Sequence, residues 1–281
     1  MRAVVLGPDG SPALAEIPEP AGDGTLVRVR ACGLCGSDVE KLGRAGPGTV
    51  LGHEVVGETQ DGRRVALVHH LPCGECGRCR AGHESTCERF RAATIVPGGF
   101  AERARAAETV ALPDEVDDVV GTFAEPLACV LRGAEHVPRG RVLVVGHGFI
   151  GRLFAEVLRR RGDDVFIRDV DPERGGTSPD SVVDAVVVCA PGGAREALAA
   201  LEPGGTLLAF APAGPIDLDA VYRRELHVVG SRSATPRHLH AAVALLPEID
   251  APPADVLPLE RFAEGLERYR SRRALKVVFT P

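Results

Sequence analysis

Four cysteines in a loop that contains several glycines show the spacing most typical of a metal site. They follow the pattern Cys-x2-Cys-x2-Cys-x7-Cys, at Cys73, Cys76, Cys79 and Cys87. A closed shell of four thiolates is the ligand set of a structural zinc ion. An iron–sulfur cluster uses the same ligand type, and a chance grouping of redox or core thiols is the remaining alternative. We expect a structural zinc site.

A second possible ligand set lies upstream of this loop. Cys35 is followed by Gly36, Ser37 and Asp38, and His53 stands between Gly52 and Glu54. One thiolate, one imidazole and nearby carboxylates fit a catalytic zinc ion that keeps an open coordination position. A Gly-His-Glu triplet alone is weak evidence, but the neighbouring four-cysteine loop strengthens the interpretation.

Glu125 is a third candidate and stands in the apolar segment Phe-Ala-Glu-Pro-Leu, residues 123–127. Burying an unpaired carboxylate is costly. The residue therefore either lies at the surface at the start of a helix or pairs with a buried charge such as a metal ion. His69 and His70 precede the cysteine loop, and we expect two exposed histidines there rather than an entrance to a site.

A glycine-rich turn predicts a dinucleotide site. The pattern G-x-G-x-x-G spans 146–151, follows the apolar segment RVLVVG (141–146) and begins an amphipathic segment. The N–H groups at such a helix start can hold a pyrophosphate. An acid at the end of the next strand can bind both ribose hydroxyls and favours NAD over NADP. Asp169 is the acid that we expect in that role, and Asp171 is the alternative. The residues expected to bind the cofactor are Gly146, Gly148, Phe149, Ile150, Gly151 and Asp169.

Two kinds of element must position these residues. Up to about residue 120, short strands with frequent glycine and proline indicate a mostly β domain; in TLVRVRA (25–31), Val27 and Val29 alternate with arginines, as in a half-buried strand. Beyond residue 121, strands alternate with helices, which predicts a doubly wound parallel sheet. The predicted strands are 141–146, 164–169, 184–190, 205–211 and 227–231.

Composition excludes several classes of protein. The chain has 281 residues, of which 44% are hydrophobic and 26% charged, so it can form a core. The net charge of −6 argues against a nucleic-acid or anionic membrane surface. No apolar run reaches the roughly 18 residues of a membrane span. The N-terminus has no signal-peptide core, so we expect a cytoplasmic protein.

Taken together, these motifs resemble those of the zinc-dependent medium-chain alcohol and polyol dehydrogenases. The resemblance covers nearly the whole chain. It is strongest to the sorbitol and threonine dehydrogenase branch, because residues 123–127 stand where the classical alcohol dehydrogenases carry a cysteine ligand.

The resemblance implies a role for each candidate residue. Cys35 and His53 would bind the catalytic zinc, and Glu54 or Glu125 would complete the shell, directly or through water. Ser37 would relay the substrate proton. Asp38 would orient His53, and the four-cysteine loop would hold the structural zinc.

The resemblance also implies an α/β fold with two domains. Residues 1–122 and 250–281 would form a GroES-like, mostly β catalytic domain, and residues 123–249 a Rossmann domain. Only residues 171–184 separate the second and third strands of that domain. In the strand order 3-2-1-4-5-6 strand 3 is an edge, so we expect a sheet that lacks this edge strand. A second departure is Glu40, which stands where many relatives carry a relay histidine.

The function implied is hydride transfer between NAD and a secondary alcohol, polyol, cyclitol or amino-alcohol, in a homodimer or homotetramer. A zinc-free quinone or enoyl reductase on the same scaffold would not need the two ligand sets. A non-catalytic nucleotide-binding protein is the third alternative. A short-chain dehydrogenase is excluded, because neither Tyr222 nor Tyr269 is followed by lysine at the fourth position.

Overall fold

The computed structural model of the chain describes residues 1–89 and 94–281. The strands are β1 (Arg2–Leu6), β2 (Pro12–Glu16), β3 (Thr25–Gly33), β4 (Glu54–Thr59), β5 (Arg64–Leu67), β6 (Ile95–Val96), β7 (Arg103–Ala106), β8 (Thr109–Ala111), β9 (Arg141–Val145), β10 (Asp164–Arg168), β11 (Val183–Val188), β12 (Leu201–Ala209), β13 (His227–Gly230), β14 (Asp255–Pro258) and β15 (Val277–Thr280). The helices are α1 (Gly36–Lys41), α2 (Gly77–Arg80), α3 (Asp118–Gly121), α4 (Ala124–Ala134), α5 (Phe149–Arg160), α6 (Ala194–Ala200), α7 (Leu218–Arg224), α8 (Pro236–Leu245) and α9 (Phe262–Arg270). Short 3₁₀ turns occupy Glu84–Thr86, Leu246–Glu248 and Leu259–Arg261.

Contacts divide the chain into two compact units. The first comprises Met1–Ala128 and Ala234–Pro281, and the second comprises Cys129–Ser233. The division therefore falls within helix α4 and before helix α8. The domain limits expected from the sequence, 1–122 with 250–281 and 123–249, lie some residues away and stay a prediction.

The first unit is built on an eight-stranded sheet and a separate β1–β2 hairpin. The sheet has the order β14-β15-β3-β4-β5-β8, and β7 pairs with β3 and with β6. Along β3, Val27 and Val29 are buried while Arg28 is exposed, which confirms the predicted alternation. Phe100, Phe262 and Phe279 pack together in the core with ring centroids 4.7–5.6 Å apart. This core anchors the C-terminal strand β15 beside β3.

The second unit is a five-stranded parallel sheet in the order β10-β9-β11-β12-β13. In Rossmann numbering this order is 2-1-4-5-6, so the predicted loss of edge strand 3 is confirmed. The central strand β9 pairs with β10 on one side and β11 on the other. Leu143 in β9 and Leu153 and Phe154 in α5 are almost fully buried. Strand β13 forms the opposite edge, as expected.

Residues 169–182 connect β10 to β11, and all of them are described. They contain no helix or strand. The Ile167 N–H donates to the Thr177 carbonyl over 3.1 Å, so this connection runs along the outer edge of β10. Farther along, Arg141 pairs with Asp180 at 2.5 Å and donates to the Val182 carbonyl at 3.2 Å. We call residues 169–182 the crossover segment.

Within the described residues, we find no helix whose length and apolar character would let it cross a membrane.

Candidate active site and metal centres

The thiols of Cys73, Cys76, Cys79 and Cys87 converge. Three of the sulfur–sulfur distances are 3.5, 3.9 and 3.9 Å. Four sulfurs about 2.3 Å from one zinc ion, at tetrahedral angles, would lie about 3.8 Å apart. The loop therefore has the dimensions of a closed zinc site.

Local backbone structure prepares the Cys76 thiol as a ligand. Cys76 caps helix α2, and its sulfur accepts the N–H of Cys79. The N–H groups of Cys79 and Glu88 lower the pKa of Cys76 to about 6. Because the thiolate is the form that binds metal, this environment favours the ligand state.

The second ligand set also converges. Ligand atoms of Cys35, His53 and Glu54 all lie within 4.8 Å of one another. The antiparallel register of β3 and β4 explains this, because Gly33 pairs with Glu54 and so places the end of one strand beside the start of the other. Gly52, with φ of 98°, makes the turn into β4; a Cβ there would lie 2.8 Å from the Cys32 sulfur and from the Phe100 nitrogen.

Asp38 lies behind this cluster and is 1% exposed. Its Oδ1 is 3.1 Å from His53 Nδ1 and accepts the Gly52 N–H, and its Oδ2 accepts the Cys35 N–H. Burial alone would raise the pKa of Asp38, but the charge and hydrogen bonds of His53 and the Cys35 N–H outweigh it and lower the pKa. Asp38 thus fixes the His53 ring with Nε2 left for a metal ion.

Lys276 is a component of the site that the sequence did not reveal. Its ammonium group forms an ion pair with Glu54, and the two side chains are 3% and 1% exposed. It also donates to the Leu34 carbonyl at 3.2 Å. Glu54 is therefore a carboxylate shared between a buried lysine and the ligand cluster. The sequence signal for this buried residue is a lysine between Leu275 and Val277, immediately before an apolar strand.

Ser37 lies in the first turn of α1, and its hydroxyl donates to the Cys35 sulfur at 3.4 Å. It is half-buried, whereas Glu40, one turn farther along, is exposed. Ser37 therefore lies beside the ligand cluster, where a relay hydroxyl would have to be. Its relay role stays a prediction.

Glu125 lies in the first turn of α4 and is 8% exposed. The surface interpretation is therefore wrong. Among the described residues, it is not grouped with Cys35, His53 and Glu54, and its Oε1 lies 3.7 Å from His70 Nδ1. Whether it becomes a metal ligand stays a prediction.

A row of imidazoles leads from His53 towards Glu125. The ring centroids of His53 and His69 are 4.6 Å apart, and those of His69 and His70 are 4.3 Å apart. Burial lowers the pKa of His69 to about 2, so this ring is neutral. The expectation of two exposed histidines is wrong, because both rings are partly buried against this cluster.

The glycine-rich turn lies in the second unit, between β9 and α5. Gly146 has φ of 93°, and a Cβ there would lie 2.6 Å from the Ala190 Cβ; a Cβ at Gly151 would lie 1.8 Å from the Gly146 carbonyl oxygen. Among the described residues, a Cβ at Gly148 would meet nothing within 4 Å, and no side-chain hydrogen bond caps this end of α5. The first N–H groups of a helix have no acceptor within the helix, and together with the open space at Gly148 they fit a pyrophosphate.

The remaining residues of the predicted cofactor site have distinct positions. Phe149 is buried and Ile150 is half-buried at the start of α5. Asp169 follows β10, and its two carboxylate oxygens accept the N–H groups of His147 and Asp171 at 2.6 and 2.9 Å. The acid is thus fixed beside the glycine-rich turn, with lone pairs left for ribose hydroxyls.

Residues 21–115 match the family model described as the alcohol dehydrogenase GroES-like domain. D-altritol 5-dehydrogenase of Agrobacterium fabrum is 31% identical, and the match covers 88% of each chain. L-galactonate-5-dehydrogenase of Escherichia coli is also 31% identical, but over 57% of this chain and 52% of its own length. The chain thus matches only about half the length of that second relative.

Solved structures of dehydrogenases are similar to this chain over its whole length. A zinc-binding dehydrogenase from Sinorhizobium meliloti, bound to NADP, is 28% identical with a TM-score of 0.83, covering 100% of this chain and 99% of that one. Alcohol dehydrogenase TADH from Thermus sp. ATN1 is 26% identical with a TM-score of 0.82, covering 100% of both chains.

A GroES-like unit with two ligand clusters, joined to a Rossmann unit with a glycine-rich turn, defines an oxidoreductase of the medium-chain type. The chain belongs to the zinc-dependent medium-chain alcohol and polyol dehydrogenase family.

We predict that the four-cysteine loop binds zinc and stabilises the fold. Cys76→Ser should remove one of two zinc equivalents and lower the free energy of unfolding by several kcal/mol, because apparent zinc-binding energies of about 10–16 kcal/mol contribute to folding. Metal analysis and denaturant titration measure both effects. Glu75→Gln, an exposed change in the same loop, is the control. A Cys76→Ser protein that keeps two zinc equivalents would contradict the assignment.

Proposed function

We propose that the protein is a zinc- and NAD-dependent dehydrogenase of a small secondary alcohol: a polyol, a cyclitol or an amino-alcohol. The observation that carries this proposal is the convergence of Cys35, His53 and Glu54 within 4.8 Å. Thiolate, imidazole and carboxylate are zinc ligands, and three protein ligands leave one coordination position open. The relatives named above support the alcohol class.

The substrate class in this proposal is any small secondary alcohol of the polyol, cyclitol or amino-alcohol type. When bound, zinc would act as a Lewis acid towards an alcohol oxygen, and NAD would accept the hydride. The chain's own residues have separate tasks. Asp38 holds the His53 ring in place, and Lys276 balances the charge of Glu54. The Ser37 hydroxyl can accept a proton and donate another, which is what a relay requires. Glu125, beside His70, is the alternative third ligand.

The activity is tested by following NADH formation with polyols, cyclitols and amino-alcohols. We expect Cys35→Ala and His53→Ala to abolish turnover and to remove one zinc equivalent. Ser37→Ala should lower kcat by roughly 10²-fold or more at neutral pH, with zinc retained, because it removes a proton-transfer group. Ser11→Ala, an exposed change in the same unit, should leave kcat unchanged.

The same assay separates the alternative functions. A zinc-free reductase would reduce quinones or enones, and chelation of zinc would not affect its rate. A non-catalytic nucleotide-binding protein would bind NADH and turn over none of these compounds. An unchanged kcat and pH profile for Ser37→Ala, with chemistry rate-limiting, would rule out the relay role.

Preference for NAD is part of the proposal, and charge at the end of β10 supports it. The Asp169 carboxylate would repel a 2′-phosphate. Arg168 and Arg174 are the nearby cations that could attract one, and the Nε of Arg174 lies 3.2 Å from Asp171 Oδ2. The Arg174 guanidinium is therefore already paired with Asp171, which weakens its attraction for a 2′-phosphate.

We expect Asp169→Asn to raise the ratio of kcat/KM for NADP to that for NAD by roughly tenfold, which corresponds to about 1.4 kcal/mol. Steady-state kinetics with both cofactors measures this ratio. Asp219→Asn, an exposed change of the same charge in α7, should leave it unaltered. A native enzyme with the higher kcat/KM for NADP would show that the role given to Asp169 is wrong.

A homodimer or homotetramer in the cytoplasm completes the proposal. Within the described residues, strand β13 pairs with β12 alone and forms an edge of its sheet, and such edges favour pairing with a second copy. Light scattering at micromolar concentration should give twice or four times the monomer mass, and a monomer would exclude this part. Reduced thiols in metal-site spacing favour a reducing compartment, which cell fractionation can test.

A further inference from the structure

His147, the second residue of the glycine-rich turn, makes two hydrogen bonds to residues of the crossover segment. Its N–H donates to Asp169 Oδ2 over 2.6 Å. Its ring Nδ1 lies 2.8 Å from the Arg174 carbonyl oxygen. Because a carbonyl only accepts, Nδ1 must carry the proton and donate. His147 thus joins the glycine-rich turn to Asp169, the acid expected to bind the ribose, and to Arg174, farther along the crossover segment.

Local hydrogen bonds shape the first half of the crossover segment. Residues 171–175 form a tight turn in which the Arg174 and Gly175 N–H groups donate to the Asp171 carbonyl at 3.0 and 3.1 Å. Asp171 in turn donates its N–H to Asp169 at 2.9 Å. The Arg174 carbonyl, at the far side of this turn, is the group that His147 holds. The imidazole therefore closes a ring of contacts around Asp169.

The contacts that His147 makes with Asp169 and Arg174 lie where the sheet lacks a strand. In a complete sheet of this order, strand 3 would lie against β10, the strand that precedes Asp169. Here the crossover segment takes that place, with one hydrogen bond from Ile167 to Thr177 along the edge of β10. The hydrogen bond from His147 to the Arg174 carbonyl therefore holds the short connection that replaces strand 3 in this chain.

The chemistry of the ring suits the task. His147 is half-buried, and burial lowers its pKa. The ring is then neutral near pH 7, where a single N–H on Nδ1 satisfies the Arg174 carbonyl and adds no charge beside the pyrophosphate site.

We propose that His147 is a positioning residue for the cofactor. It acts through Asp169 and the crossover segment to hold the surface that receives the adenosine ribose. This proposal rests on the proposed function, because it takes NAD as the cofactor. The nicotinamide end and the metal cluster are not involved, so affinity should change and chemistry should not.

The experiment compares His147→Ala and His147→Leu with His147→Asn in the full-length protein. Leucine fills the space of the ring without a donor, and asparagine carries an amide N–H close to the position of Nδ1. We expect the alanine and leucine variants to raise the dissociation constant of NADH and the KM for NAD by roughly three- to tenfold, the effect of about one hydrogen bond. Asparagine should restore most of the affinity, and kcat should stay within about twofold throughout.

A second measurement does not depend on activity. Trypsin should cleave after Arg174 faster in the alanine and leucine variants than in the wild type, and NADH should slow that cleavage in the wild type. Mass spectrometry identifies the cleaved bond. His136→Ala, an exposed change in the same unit, is the control for both measurements.

Three results would overturn the proposal. They are an unchanged NADH dissociation constant in the leucine variant, an asparagine variant as weak as the leucine variant, and a fall in kcat as large as the loss of affinity. A wild-type protein that does not bind NADH at all would instead refute the proposed function, and this inference with it.

Discussion

The buried carboxylate of Asp38 is the constraint on which the metal-ligand geometry of the first unit depends. A charge removed from water is costly unless it is fully hydrogen-bonded. Asp38 meets that requirement with the Cys35 N–H, the Gly52 N–H and the His53 ring. These three groups come from the start of α1, just after β3, and from the turn into β4, so satisfying the acid also positions the ligands. The cluster is thus organised by the protein itself.

The sheet makes this arrangement possible. Strands β3 and β4 pair antiparallel from Val27 with Thr59 to Gly33 with Glu54. At the site end of the pair, Gly33 leaves room for the Glu54 carboxylate, since a Cβ there would lie 2.0 Å from Oε2. The C-terminal strand β15 also pairs with β3, which places Lys276 beside Glu54. Three strands distant in sequence therefore contribute to one charge-balanced cluster.

Sequence reasoning succeeded where the chemistry is local. The four-cysteine loop, the G-x-G-x-x-G turn and the shortened connection after Asp169 are each visible within a few dozen residues. It could not find Lys276, because its partner Glu54 is more than two hundred residues away and only strand pairing joins them. It also misjudged His69 and His70, since their burial depends on contacts with His53 and Glu125. His147 stands at a variable position of G-x-G-x-x-G, and the pattern gives no signal for it, because its ring partner is a backbone carbonyl with no sequence signature.

The two edges of the parallel sheet in the second unit are unequal. The crossover segment runs along β10, whereas β13, in the part of the chain that the structure describes, pairs on one side only. A sheet with two free edges can add copies at both ends without limit, as fibres do. A sheet with one free edge can join a second copy only through a twofold axis, and this uses up the edge on both partners. The short connection that replaces a strand therefore also terminates the sheet, so that any strand-mediated assembly closes on itself.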